Sequence, residues 1–178
     1  MHTSFSGASF YTMGAIDHTP PDGRHWREFK DQFSAAHAKG ERMRLSFDHV
    51  HIICRDLEGM VAFFEKIFGG EVIYREENFH GAPNAVVRVG EARLFLRGVR
   101  PGERIGENHA DAVMGLDHFS FAVDDIHGLA TQMKAAGADF IRDPSPSGMG
   151  GRTTAYIRGP EDVRIELSER AGETYGGG

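Results

Sequence analysis

Two copies of one β-α-β-β-β module, together an α+β fold, are what this sequence predicts, and three observations carry the prediction. Phe47-Asp48-His49 returns as Leu116-Asp117-His118, and the same interval of 69 residues separates His49 from His118 and Asp56 from Asp125. Each histidine opens a strand-like alternating segment, and each acidic breaker, Asp56-Leu57 and Asp125-Ile126, opens an amphipathic run. Each run then yields at glycine to a further strand signal, Gly70-Glu71-Val72-Ile73 in one half and Gly137-Ala138-Asp139-Phe140 in the other. Self-similarity at a fixed interval is read before anything else, because it fixes the unit that folds.

Taken in order, residues 1–42 read as an N-terminal extension, Ser-, Gly- and Pro-rich at first. A helix is predicted over 24–39, where Trp26, Phe29, Phe33 and Ala36 recur at helical spacing and Gly40 supplies a stop. The repeat domain spans 43–170, with modules at 46–97 and 116–168, a Gly-containing linker Gly98–Gly115, and a flexible tail at 171–178. Leu57, Met60, Val61, Phe64 and Phe68 make one apolar stripe, and Ile126, Leu129, Ala130 and Met133 make its counterpart; both read as core packing. Strand alternation sets Val50 and Ile52 opposite His49, His51 and Ile53, and Phe119, Phe121 and Val123 opposite His118, Ser120 and Ala122. On the last strands Leu94 and Leu96 oppose Arg93, Phe95 and Arg97, and Ile165 and Leu167 oppose Arg164, Glu166 and Ser168. If helices cover the apolar faces, the other faces line a partly polar concavity, which is costly unless wet, paired or metallated.

Composition narrows the partners. A net charge of −6 without an aromatic-interleaved basic cluster argues against nucleic acid and leaves a small-molecule substrate. Cys54 is the only cysteine, so no disulfide framework or cysteine-rich zinc site forms within one chain, and a reducing, cytoplasmic setting is expected. No apolar stretch is long enough to suggest a membrane span, and the first residues lack the pattern of a signal peptide.

His49, His118 and Glu166 form a two-histidine, one-carboxylate set suited to a divalent ion, with Fe, Mn, Zn, Ni and Co all open. At this point Asp48-His49-Val50-His51-Ile52, Asp56-Leu57 with the run to Phe68-Gly69-Gly70, Leu116-Asp117-His118, and Tyr156-Ile157-Arg158-Gly159-Pro160 through Arg164-Ile165-Glu166-Leu167 resemble the vicinal oxygen chelate superfamily. That superfamily includes glyoxalase I, methylmalonyl-CoA epimerase, fosfomycin resistance enzymes, extradiol dioxygenases and bleomycin resistance proteins. The resemblance implies an open eight-stranded barrel around a metal site, maps His49, His118 and Glu166 onto three ligand positions, and implies a homodimer.

Departures from the family pattern narrow the chemistry. Where glyoxalase I and the epimerase use a fourth ligand, aligning Leu94-Phe95-Leu96 with Ile165-Glu166-Leu167 places Phe95, which cannot bind metal. Ser147–Thr153 contains no histidine to act as the acid-base partner of a dioxygenase, although Tyr156 is suitably placed. His51 stands on the side of His49 and is either an acid-base group or a residue that orients a ligand. Arg93, Arg164, Phe95 and Ser120 are candidate substrate contacts, the arginines through forked contacts to an anion or else paired with a nearby acid. Three functions follow: a metal-dependent lyase or isomerase, favoured; an Fe(II) extradiol dioxygenase; and a non-catalytic drug- or metabolite-sequestering protein.

Overall fold

The computed structural model describes residues 46–106 and 114–170; the helix expected over 24–39 and the tail 171–178 lie outside them. Each module starts with a short strand, β1 (Val50–Cys54) or β5 (Phe119–Val123), followed by a helix, α1 (Leu57–Phe68) or α2 (Ile126–Ala135). Three further strands complete each: β2 (Glu71–Phe79), β3 (Ala82–Val89) and β4 (Ala92–Gly98), then β6 (Asp139–Ser145), β7 (Thr154–Arg158) and β8 (Arg164–Glu169).

The breakers act as predicted. Asp56 accepts a hydrogen bond from the Gly59 amide at 2.9 Å and Asp125 from the Gly128 amide at 2.8 Å, so both helices begin at a side-chain cap that satisfies an orphan donor. At the end of α1 the chain reverses through Gly69 in the left-handed region (φ 62°), and the Gly70 amide donates to the Phe64 carbonyl at 3.0 Å. Gly70 is also required by space, since a Cβ there would lie 2.7 Å from Val87 Cγ1.

Two four-stranded sheets result, ordered β1-β4-β3-β2 and β5-β8-β7-β6, the same order twice. In each, the first strand runs parallel to the last, and the hairpins between are antiparallel. Among the described residues the sheets are not joined by a strand pairing, so the expected eight-stranded barrel is present as two open halves with β1 and β5 as edge strands.

The apolar stripes find the cores expected of them. Leu57, Met60, Val61 and Phe64 of α1 pack with Ile52, Val87, Leu94 and Leu96, and Ile126 and Met133 of α2 pack with Ala155, Ile157 and Leu167. The modules also exchange residues: Ile165 of the second lies in the first cluster, Ile67 of the first lies in the second, and Phe63, Phe68 and Phe121 pack against both. With the helices on the apolar faces, the polar faces of both sheets are left open, which is what positions the site.

Candidate functional site

Strand register explains which polar side chains meet. In the second sheet Ser120 pairs with Glu166, Glu166 with Tyr156, and Tyr156 with Arg142, which sets four side chains in a row across four strands. His118, two residues before Ser120, lies beside that row with its Nε2 3.4 Å from Glu166 Oε2. The Tyr156 hydroxyl donates to Glu166 Oε1 at 3.0 Å, and its ring meets the His118 ring edge-on at 5.1 Å. Arg142 lies over the Tyr156 ring at 4.5 Å and donates to Thr154 Oγ1 at 3.1 Å.

The first sheet has the same register with different chemistry. His51 pairs with Phe95, and Phe95 with Val86, so Phe95 stands where the second module has Glu166 and the alignment of the two last strands holds. The His49 ring stacks on Phe95 at 4.0 Å with 29° between planes, and lies 6.0 Å from the His51 ring. The structure therefore brings together His118, Glu166 and Tyr156, with Ser120 exposed across from Glu166, and separately His49, His51 and Phe95. Among the described residues, no group of three or more His, Cys, Asp or Glu side chains is gathered closely enough to hold a metal ion.

Arg93 and Arg164 pair with acids, though not with Glu166. Arg93 bonds to Asp48, and Arg164 Nη1 lies 2.7 Å from Asp117 Oδ1. Each aspartate in turn holds its neighbouring histidine, Asp48 Oδ2 to His49 Nδ1 and Asp117 Oδ2 to His118 Nδ1, both at 2.6 Å. These contacts hold both aspartate carboxyls below their ordinary range, the histidine bond being the largest cause. Sequence reasoning missed Arg142, because the register slips on either side of it in β6 and breaks the alternation that assigns faces.

The His51 pKa is lowered from its ordinary value; the residue is exposed overall, yet partial removal of its ring from water is the chief cause, followed by the Arg97 charge. Burial and the Glu166 hydrogen bond push the Tyr156 hydroxyl up, so it remains a proton donor. A cavity of about 480 Å³ opens beside these groups, lined by His51, Arg55, Asp117, His118, Glu161 and Arg164 among others. A second, of about 420 Å³, is lined by Asp117, Ile141, Arg142, Tyr156 and Arg164.

The donor chemistry fits a divalent ion: one imidazole nitrogen and one carboxylate oxygen are aligned, and the repeat supplies a second imidazole with the same backing.

Comparison with known proteins gives concordant findings. The model of the Glyoxalase/Bleomycin resistance protein/Dioxygenase superfamily matches residues 46–167. Over 128 residues the chain is 27% identical to the lactoylglutathione lyase GLX1 of Arabidopsis thaliana, covering 68% of this chain and 44% of that protein, so it spans less than half the length of that relative. Among solved structures, a glyoxylase/bleomycin resistance protein/dioxygenase domain from Frankia sp. superposes with a TM-score of 0.61 at 20% identity, covering 74% of this chain and 96% of the other. A mutant of the fosfomycin resistance protein FosX from Listeria monocytogenes, complexed with Mn(II) and 1S,2S-dihydroxypropylphosphonic acid, gives 0.53 at 18% identity, covering 71% and 90%.

Proposed function

The chain belongs to the glyoxalase/bleomycin resistance protein/dioxygenase superfamily, and from that premise we propose that it is a metal-dependent enzyme that performs lyase or isomerase chemistry on a small oxygenated metabolite. The observation that carries the reading is the pairing of His118 Nε2 with Glu166 Oε2 at 3.4 Å on the open face of the second sheet. His49 is not gathered with His118 and Glu166 among the described residues, and a second copy would supply it, making the functional unit a homodimer with two sites. The ion is one of Fe, Mn, Zn, Ni or Co, and when bound it supplies Lewis acidity toward a substrate oxygen.

The chain's own residues supply the rest. Tyr156 donates to Glu166 and fixes which oxygen of that carboxylate faces His118. His51, whose pKa is lowered by desolvation and the Arg97 charge, stands 6.0 Å from His49 ring to ring and is the group we assign to accept a proton from a substrate carbon. Phe95 offers no donor and leaves room for a substrate oxygen. The lactoylglutathione lyase relatives favour proton transfer over oxygenation.

Metal analysis of protein purified without chelators tests the reading. About one ion per chain is expected, falling to near zero in His118→Ala and Glu166→Gln; a wild-type protein that binds none after loading would overturn it. Mixing His49→Ala with Glu166→Ala protein tests the shared site. After free subunit exchange, about a quarter of the wild-type metal content should return, because half the dimers carry one intact site. No recovery would show that His49 does not act across copies.

A further inference from the structure

The two modules differ at the position of Glu166 and Phe95, yet both keep an arginine-aspartate-histidine series. Arg93 on β4 bonds to Asp48, which holds His49; Arg164 on β8 bonds to Asp117, which holds His118. The histidine contacts are both 2.6 Å, and each arginine comes from the last strand of its own module, 45 and 47 residues from its aspartate. Two neighbouring residues in sequence would make one such contact by chance of local geometry. A third member brought from a distant strand, twice, is a constraint built into the module.

We propose that Asp48 with Arg93, and Asp117 with Arg164, are positioning pairs that fix the tautomer and ring orientation of His49 and His118. The aspartate accepts a hydrogen bond, so the proton of the neutral imidazole sits on Nδ1 and the lone pair is left on Nε2. In the second module that is the nitrogen facing Glu166 at 3.4 Å. An aspartate two-fifths or more exposed would otherwise swing freely, since Asp117 and Asp48 are 42% and 57% exposed. The arginine holds the second carboxylate oxygen, so that the first remains on the imidazole. In the first module the ring is fixed on a further side by its stack on Phe95. The inference rests on the reading of these histidines as metal ligands for its purpose, but the tautomers exist without metal.

The test uses the full-length, metal-free protein with ¹⁵N-labelled histidine, whose nitrogen shifts and couplings at neutral pH report the proton position on each ring. Unconstrained imidazoles favour the Nε2–H form. The wild type should show His49 and His118 as Nδ1–H. Asp117→Ala should return His118 to the Nε2–H form and leave His49 unchanged, while Asp48→Ala does the reverse, so each variant contains its own control for correct folding. Co(II) titration of the same samples should show affinity about 10- to 100-fold weaker in Asp117→Ala, a smaller loss in Arg164→Ala, and partial recovery in Arg164→Lys. Nε2–H histidines in the wild type, or an Asp117→Ala protein with unchanged tautomer and Co(II) affinity, would overturn the proposal. Nδ1–H histidines in a wild type that binds no Co(II) would uphold the positioning pairs and refute the metal centre.

Discussion

Phe95 and Glu166 occupy one register position in two copies of the same strand pair, and the exchange of a ring for a carboxylate decides what each module offers. Phe95→Glu should set a carboxylate beside His49 as Glu166 stands beside His118, and raise Ni(II) or Co(II) affinity by about tenfold. Thermal melts with and without the ion check this: a variant that melts far below the parent and ignores metal would mean that only the stack on His49 has been lost. Glu103 gives a prediction with a pH sign. Its carboxylate accepts from Nη1 and Nη2 of Arg97, at 2.7 and 2.6 Å, and from the Arg100 amide at 3.0 Å, and these bonds hold its pKa down to about 2. Because the unfolded value is higher, about 4.3, the stabilisation is complete at neutral pH and is lost as pH falls toward 2. Glu103→Gln should melt below the parent at pH 7, and the gap in Tm should close between about pH 4.5 and 2.

Among the elements, the turn Pro160–Asp162 before β8 shows how one module is fastened to the other. Glu161 and Asp162 are consecutive non-glycine residues at φ 53° and 58°, an unfavourable pair. The Glu161 carboxylate reaches back to accept from the Arg55 and Asp56 amides, at 2.5 and 3.2 Å, at the start of α1. Glu161→Ala should therefore cost about 1–2 kcal/mol in urea unfolding; Glu161→Gly should cost less, since it loses the same bonds but relieves the backbone. What was legible in the sequence at this scale was whatever repeats locally. Helix stripes and caps depend on residues three or four apart, and Ile52, Cys54, Leu94 and Leu96 are buried as alternation requires. The turn's reach to α1 spans 106 residues and has no local signature. Arg142 was hidden by slips in register; the aspartate before each histidine was visible as a motif, and Arg93 and Arg164 as arginines that either bind an anion or pair with an acid, while which acid each takes, a strand away, was not.

For the molecule as a whole, the doubled order of strands was readable because the two copies share it, whereas the distance between His49 and Glu166 is a relation between modules that no single copy encodes. Unpaired sheet edges, β1 and β5 among them, beside open polar faces favour pairing of whole chains, and light scattering at micromolar concentration should return twice the 19.6 kDa chain mass. Cys54, at the end of the edge strand β1, is 1% exposed, donates to the Arg97 carbonyl across β4 at 3.4 Å, and has its thiol pushed up to about 12 by burial. A lone thiol so protected is a clock for breathing of the strand. It cannot react while β1 lies against β4, so alkylation at pH 8 should run at the frequency of strand opening multiplied by the chemistry of an ordinary thiolate. Slowing of that reaction on addition of metal would time the edge strand directly, in a protein that needs no label added and no substrate known.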